Sequence, residues 1–298
     1  MPLHRLVGKQ KGPILGMTAT IHGDDILPIE IIRESLSAID PLLLCGSVYA
    51  IPVANPLGFA TLSRNTPADS INLNRVFPGN SSGWLSERLA HLISTEFIAK
   101  LDYLVDFLGG GIRGISDWGV IFREKAFALA FGLANYQYVD SPPKGTSLGT
   151  AYKLGVKAAT TIELGGSDIS KNTFVQKGVR GILNVLKHTG MLKGTLELPK
   201  EQCIFTRKAV LRLGTGEILR STVTTADIGH ILPQGKILGE VISPLDFRLL
   251  ETIRAPFRRN LLVHVPSAIG VFQAAEFAYQ VGDMDGAEVI HPLCATSL

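Results

Sequence analysis

Gly12-Pro-Ile-Leu-Gly-Met-Thr-Ala-Thr-Ile-His-Gly-Asp-Asp25 decides the fold. Its first ten residues are small, apolar or β-favouring, the pattern of a short buried strand. His22-Gly23 closes that strand, and apolar residues then recur at helical spacing from Pro28 to Leu36, with Pro28 suited to a first helical turn. Ser47-Val-Tyr-Ala-Ile-Pro-Val53 predicts a second strand, ending at Asn55-Pro56. Residues 57–83 are polar and rich in Asn, Pro, Ser and Gly. A loop of that length inside a domain is usually functional. Further along, the pattern predicts a helix over Trp84–Ala99, a strand over Leu101–Phe107, a helix over Glu124–Leu133, a strand over Lys157–Leu164 and a long helix over Lys171–Leu192. Strands alternating with helices imply an α/β fold with a largely parallel sheet.

After about residue 197 the texture changes. Short runs (Ala209–Leu213, Glu217–Val223, Lys236–Ser243, Asn260–Val265) are separated by Gly and Pro. That is the look of a small all-β unit. The expected organisation is therefore an α/β domain over 1–196 and a small C-terminal β domain over 197–298.

The bulk numbers narrow the function. With 298 residues and 46% hydrophobic content, the chain can bury a large core. Net charge is +3, from 29 basic and 26 acidic residues with no basic run, which leaves little electrostatic footing for nucleic acid. No apolar stretch is long enough to span a membrane. The first residues lack the pattern of a signal peptide. Cys45, Cys203 and Cys294 are few and far apart, so they read as buried small apolar residues in a reducing, cytoplasmic setting.

The His22–Asp25 turn, Leu108–Gly110 and Glu163 all fall at the carboxyl ends of predicted strands. Ligands of open α/β sheets collect at that edge. His22-Gly23-Asp24-Asp25 is a His-x-x-carboxylate unit, and zinc accepts both ligand types. Taken alone, the same four residues suit a helix entry capped by Asp24 or Asp25.

Five ordered motifs add context. They are Gly-x-x-x-x-x-Thr-Ala before His22, Val-Ala-Asn-Pro at 53–56, Arg64-Asn-Thr-Pro67, Asn72-Leu-Asn-Arg-Val-Phe-Pro-Gly79 and Thr-Ile-Glu-Leu-Gly-Gly at 161–166. Together they resemble the succinylglutamate desuccinylase/aspartoacylase family of zinc-dependent deacylases over residues 12 to about 192. The resemblance implies the α/β/α sandwich and mixed, largely parallel sheet of the zinc carboxypeptidases. It implies hydrolysis of the amide of an N-acyl amino acid or a similar small acylated amine, and a homo-oligomer. It places the first zinc ligand at His22 and the second at Asp25, where the family has Glu. The third position, a histidine in the family, falls on Leu108. Glu163 matches the general base, and Arg64, Asn74 and Arg75 match the substrate-holding and oxyanion-stabilising residues.

The roles make chemical sense. A carboxylate beside an activated water can take its proton. Arginine can stabilise an oxyanion and read a carboxylate through a bidentate fork. The departures also have consequences. Asp at position 25 is one methylene shorter than Glu, so the backbone must shift or Asp24 must substitute. Leu108 has no lone pair, and a two-ligand site holds zinc weakly. A histidine from the tail (His230, His264 or His291) or the substrate itself would have to complete the set. Three readings stay open: a metal-dependent deacylase, a non-catalytic binder of an acyl amino acid or a partner subunit, and metal-free chemistry built on Glu163 and the arginines.

Overall fold

The Gly12–Ile21 run builds the second strand of a large sheet. The structure, a computed structural model, describes residues 1–166 and 172–292. The chain runs β1 (His4–Val7), β2 (Gln10–Thr18), α1 (Leu27–Ala38), β3 (Cys45–Ile51), α2 (Pro56–Ala60), α3 (Leu85–Glu96), β4 (Tyr103–Leu108), β5 (Gly114–Ile121), α4 (Lys125–Ala130), β6 (Asn135–Tyr138), α5 (Ser147–Lys153), β7 (Ala158–Gly165) and α6 (Asn172–His188). The tail is all β: β8 (Gln202–Phe205), β9 (Lys208–Arg212), β10 (Glu217–Ser221), β11 (Ile231–Pro233), β12 (Ile237–Ile242), β13 (Leu249–Arg254), β14 (Arg259–Pro266), β15 (Ile269–Phe272), β16 (Phe277–Asp283) and β17 (Glu288–Ile290). Lys171 and Cys294 lie outside the described residues.

The main sheet has the order β1-β3-β2-β4-β7-β5-β14-β16-β9. Within it β2, β3, β4 and β7 are mutually parallel, while β1 and β5 run against their neighbours. This is the mixed, largely parallel sheet that the strand–helix alternation predicts. Helices α1, α4 and α6 cover one face and α3 and α5 the other. Strand β4 shows why both faces need cover. Val105 and Phe107 enter the layer of α1 and α6, whereas Leu104 and Leu108 enter the layer of α3 and α5. Each such fully buried side chain contributes about 1.5–3 kcal/mol over its exposed state.

Tail strands continue this sheet, because β14 pairs antiparallel with β5 and β16 and β9 follow. Ladder irregularities interrupt β14–β16 between Leu262 and His264 and β16–β9 between Phe277 and Tyr279. Strands β8, β11 and β17 also join the main sheet, through β6, β14 and β8, and the other four tail strands form a second sheet, β13-β12-β10-β15. Cys45 and Cys203 are half-buried free thiols, less enclosed than their expected role as small core residues. Among the described residues no helix is long and apolar enough to cross a membrane.

Candidate active site

Because β2, β4 and β7 are parallel, their carboxyl ends share one edge, and the predicted residues meet there. His22 and Asp25 follow β2 in a turn held by an Asp25 N–H donating to the His22 carbonyl at 3.1 Å and a Thr20 hydroxyl donating to the Asp25 carbonyl at 3.0 Å. Thr20 adopts φ of 57°, a left-handed conformation that a β-branched residue rarely takes, so the turn carries backbone strain at the site. Gly23 is required by close approach: a Cβ there would lie 1.9 Å from the carbonyl carbon of Gly58 in α2. Neither Asp24 nor Asp25 caps α1; its N-cap is Ile26, with no side-chain cap.

The 55–75 loop is tied to this turn. Asn55 caps α2 by accepting from the Gly58 N–H at 3.0 Å, and its amide donates to the Thr66 hydroxyl at 3.1 Å. That anchorage brings Arg64 inward, with Nη1 3.4 Å from His22 Nδ1 and the guanidinium 5.7 Å from the Phe277 ring centre of β16. Asn74 and Arg75 lie in the single 3-10 turn Leu73–Arg75. Asn74 Oδ1 accepts from the Ser147 N–H at 3.0 Å, so the oxygen of this amide serves the start of α5. Arg75 Nη1 donates to the Asn74 carbonyl at 2.6 Å.

Glu163 sits on β7 directly across from Leu108 on β4 and from Trp118 on β5. Burial, and next the charge of Asp25, push its carboxyl up to about 7, while Lys208 and Arg64 pull it back. Its neighbourhood includes a second buried carboxyl, Asp106, two residues before Leu108. Asp106 accepts from the Thr18 hydroxyl at 2.6 Å and from the Ser147 hydroxyl, and burial raises it to about 6.

His22, Arg64, Arg75, Leu108, Glu163 and Lys208 line one cavity of about 170 Å3, to which Asn74 also contributes. Asp25 lies just behind it, with no exposed surface. A second cavity, of about 250 Å3, is lined by Arg64 together with Asp24, Gly111, His264 and Phe277. Lys208 is the residue that sequence reasoning missed. It comes from β9, its ammonium lies 3.8 Å from the Trp118 ring centre, and burial lowers it to about 8 against the opposing pull of Glu163. No motif surrounds it, because its place depends on how the tail strands return to the crevice. His264, one of the tail histidines considered above, does approach the centre. However, its Nδ1 meets the Ser116 hydroxyl at 2.8 Å, and burial holds it neutral, at about 3. His230 and His291 are absent from the linings of both cavities.

The zinc implied by the sequence resemblance can be tested against these donors. His22 Nδ1 and Asp25 Oδ2 lie 3.0 Å apart, and Asp25 Oδ1 accepts from the Gly111 N–H at 3.0 Å. Burial raises the Asp25 carboxyl to about 7, and burial followed by Arg64 holds His22 well below its usual value. The third corner is Leu108, 5% exposed and continuous with the apolar layer of Ile21, Leu73 and Leu148. Among the described residues no group of three or more His, Cys, Asp and Glu side chains is placed to hold a metal ion. The residues present do not fit a resident zinc.

Comparison with known proteins agrees with the architecture. The model of the succinylglutamate desuccinylase/aspartoacylase catalytic domain matches residues 11–189. The chain is 26% identical over 265 residues to the N-alpha-acetyl-L-2,4-diaminobutyric acid deacetylase of Halomonas elongata, covering 82% of this chain and 76% of that protein. The fold is shared with a succinylglutamate desuccinylase/aspartoacylase from Rhodobacter sphaeroides (TM-score 0.80, 22% identity, 95% of this chain and 89% of that one). It is shared equally with the product-bound ectoine utilization protein EutE (DoeB) of Ruegeria pomeroyi (TM-score 0.81, 24% identity, 95% of this chain and 88% of that one). With the family model spanning more than half of its length, the chain belongs to the succinylglutamate desuccinylase/aspartoacylase family.

Proposed function

We propose that this chain is a hydrolase that cleaves the amide bond of a small N-acyl amino acid or a related acylated amine. One observation carries the reading: Glu163 shares a cavity with three cationic side chains, Arg64, Arg75 and Lys208. A carboxyl held at about 7 is poised to exchange a proton near neutrality, which is what a general base must do. In this scheme Glu163 takes the proton of a water attacking the acyl carbon. Arg64 faces the negative charge that develops on the carbonyl oxygen. As the carbon–nitrogen bond breaks, the proton passes from Glu163 to the departing nitrogen. Arg75 and Lys208 hold a substrate carboxylate, and Asn74 braces the Arg75 turn against α5. No step runs through a metal-bound water, since the donor set for the metal is incomplete. The deacetylase activity named for the Halomonas relative supports the reaction class.

The test is release of free amine from a panel of N-acetyl and N-succinyl amino acids and diamines, measured by mass spectrometry. Glu163→Gln should lower kcat by about 100-fold or more while substrate still binds. A variant as active as the parent would sink the assignment of the base. Leu108 favours a second reading, a non-catalytic binder of the same ligands. Calorimetric binding with no turnover of any panel member would favour it over the hydrolase.

A further inference from the structure

We propose that Arg64 is the resident cation of this centre, standing in for the zinc that the sequence resemblance implies, so that the chemistry runs without a metal. The proposal rests on the deacylase reading for the reaction, but not for the absence of tight zinc binding.

Three observations converge. The first concerns the contacts of the His22 ring. His22 Nδ1 already lies 3.0 Å from Asp25 Oδ2 and 3.4 Å from Arg64 Nη1. A metal ligand needs a lone pair free and a bond near 2 Å; Nδ1 is already within hydrogen-bonding distance of both Asp25 and Arg64, and the remaining ring nitrogen, Nε2, is buried without a hydrogen-bond partner among the described residues. The second is Leu108. It fills the third corner with hydrocarbon on the side where Glu163 lies, its partner across the β4–β7 ladder. The third is the setting of Arg64. The loop that carries it is fastened by Asn55 to Thr66 and to α2, and the Phe277 ring lies 5.7 Å from its guanidinium. It also lines both cavities, so its charge reaches a molecule bound in either one. A guanidinium presents five donors and keeps its charge, so one N–H can stay on His22 while others meet an oxyanion.

The reaction balances without a further reagent. The water oxygen forms a bond to the acyl carbon and its proton goes to the Glu163 carboxylate. The carbonyl oxygen becomes anionic opposite Arg64, which stays protonated throughout. Collapse of the oxyanion breaks the carbon–nitrogen bond, and the Glu163 proton moves to the nitrogen, giving one acid and one amine.

The experiment uses the purified full chain with zinc itself as the probe. Zinc content after dialysis, and calorimetric titration of zinc into the apoprotein, are compared for the parent, Leu108→His and His22→Ala. The parent should hold far less than one zinc per chain and show no tight binding. Leu108→His should bind zinc on the order of 100-fold or more tightly than the parent, since it supplies a missing ligand. A variant that folds, by circular dichroism and thermal unfolding, yet gains no zinc affinity would overturn the role of Leu108. Stoichiometric zinc in the parent that His22→Ala removes would overturn the proposal outright. On the activity side, hydrolysis should survive a chelator and fall by about 100-fold in Arg64→Gln. Loss of activity in chelator also refutes the metal-free centre. If no panel substrate is hydrolysed, the deacylase reading fails, while the zinc titration still decides the metal question.

Discussion

Replacing Glu163 by glutamine should make the protein more stable at alkaline pH and leave it unchanged in acid. The folded chain holds this carboxyl at about 7, against an ordinary value of 4.5. That difference favours the protonated form in the fold by about 3 kcal/mol if taken in full. Glu163 retains some exposure to the cavity and faces Lys208, so solvent and counter-charge reduce the cost to roughly 1–2 kcal/mol. The sign follows from proton linkage. With its folded value raised, the group's contribution to stability is complete below about 4.5 and is lost as pH rises through about 7. Glutamine cannot ionise and suffers no such loss. Urea unfolding of parent and Glu163→Gln at about pH 4 and about pH 8 should therefore show the gap opening toward the variant by roughly 1–2 kcal/mol. In thermal unfolding that corresponds to a few degrees. A gap that is the same at both pH values, or that opens toward the parent, would refute the claim that burial raises this carboxyl. The same variant loses catalysis in the proposed mechanism, so stability and activity should move in opposite directions.

Other outcomes follow from the same geometry. Hydrolysis should decline as pH falls below about 7, when Glu163 becomes protonated, and initial rates against pH will show it. An acid limb centred near the ordinary carboxylate value would contradict the base assignment. Lys208→Met removes a buried cation from the cavity, and KM for a carboxylate-bearing substrate should rise about 10-fold when measured at alkaline pH, where Glu163 stays ionised without Lys208 to pull its value down. An unchanged KM would take Lys208 out of recognition. Gly23→Ala drives a methyl into the Gly58 carbonyl, and thermal unfolding should register a loss of about 1–3 kcal/mol or more. An unaltered melting temperature would mean that α2 does not seat on the His22 turn as described.

The parallel core was legible because its signals are local. Buried β2, β4 and β7 show as apolar runs, and α1, α3 and α6 as apolar stripes, each within a few residues of the observed bounds. The crevice was legible for the same reason: parallel strands put their carboxyl ends together, and His22, Leu108 and Glu163 sit at those ends. What escaped depends on long-range pairing. Short β6 and β8 have too few residues to show a period, and β5 is recognised as a strand only through its partners β7 and β14. Likewise, Asp106 is one of two acidic residues in the otherwise apolar run Leu101–Phe107, and nothing local marks it. Its role emerges only when Thr18 and Ser147, 88 and 41 residues away in the chain, close around it. Asp24 and Asp25 read as helix caps on local grounds, but the helix starts after Ile26 and Asp25 turns instead to the glycine turn at 111.

The ladder irregularities in β14–β16 and β16–β9 have a consequence for the width of the crevice. Lys208 lies on β9, four strands along the sheet from Glu163 on β7. Across a flat sheet that is roughly 19 Å, yet the Lys208 ammonium stands over Trp118, on the strand next to Glu163. Three strand spacings, roughly 14 Å, separate Lys208 from Trp118; the two long side chains close that span, helped by bending of the kind that the irregularities in β14–β16 and β16–β9 permit. The spacing between base and cation thus depends on how the tail strands pair onto β5. In the proposed reaction, the length of acyl amine that fits would then be chosen by backbone pairing far from the reacting atoms.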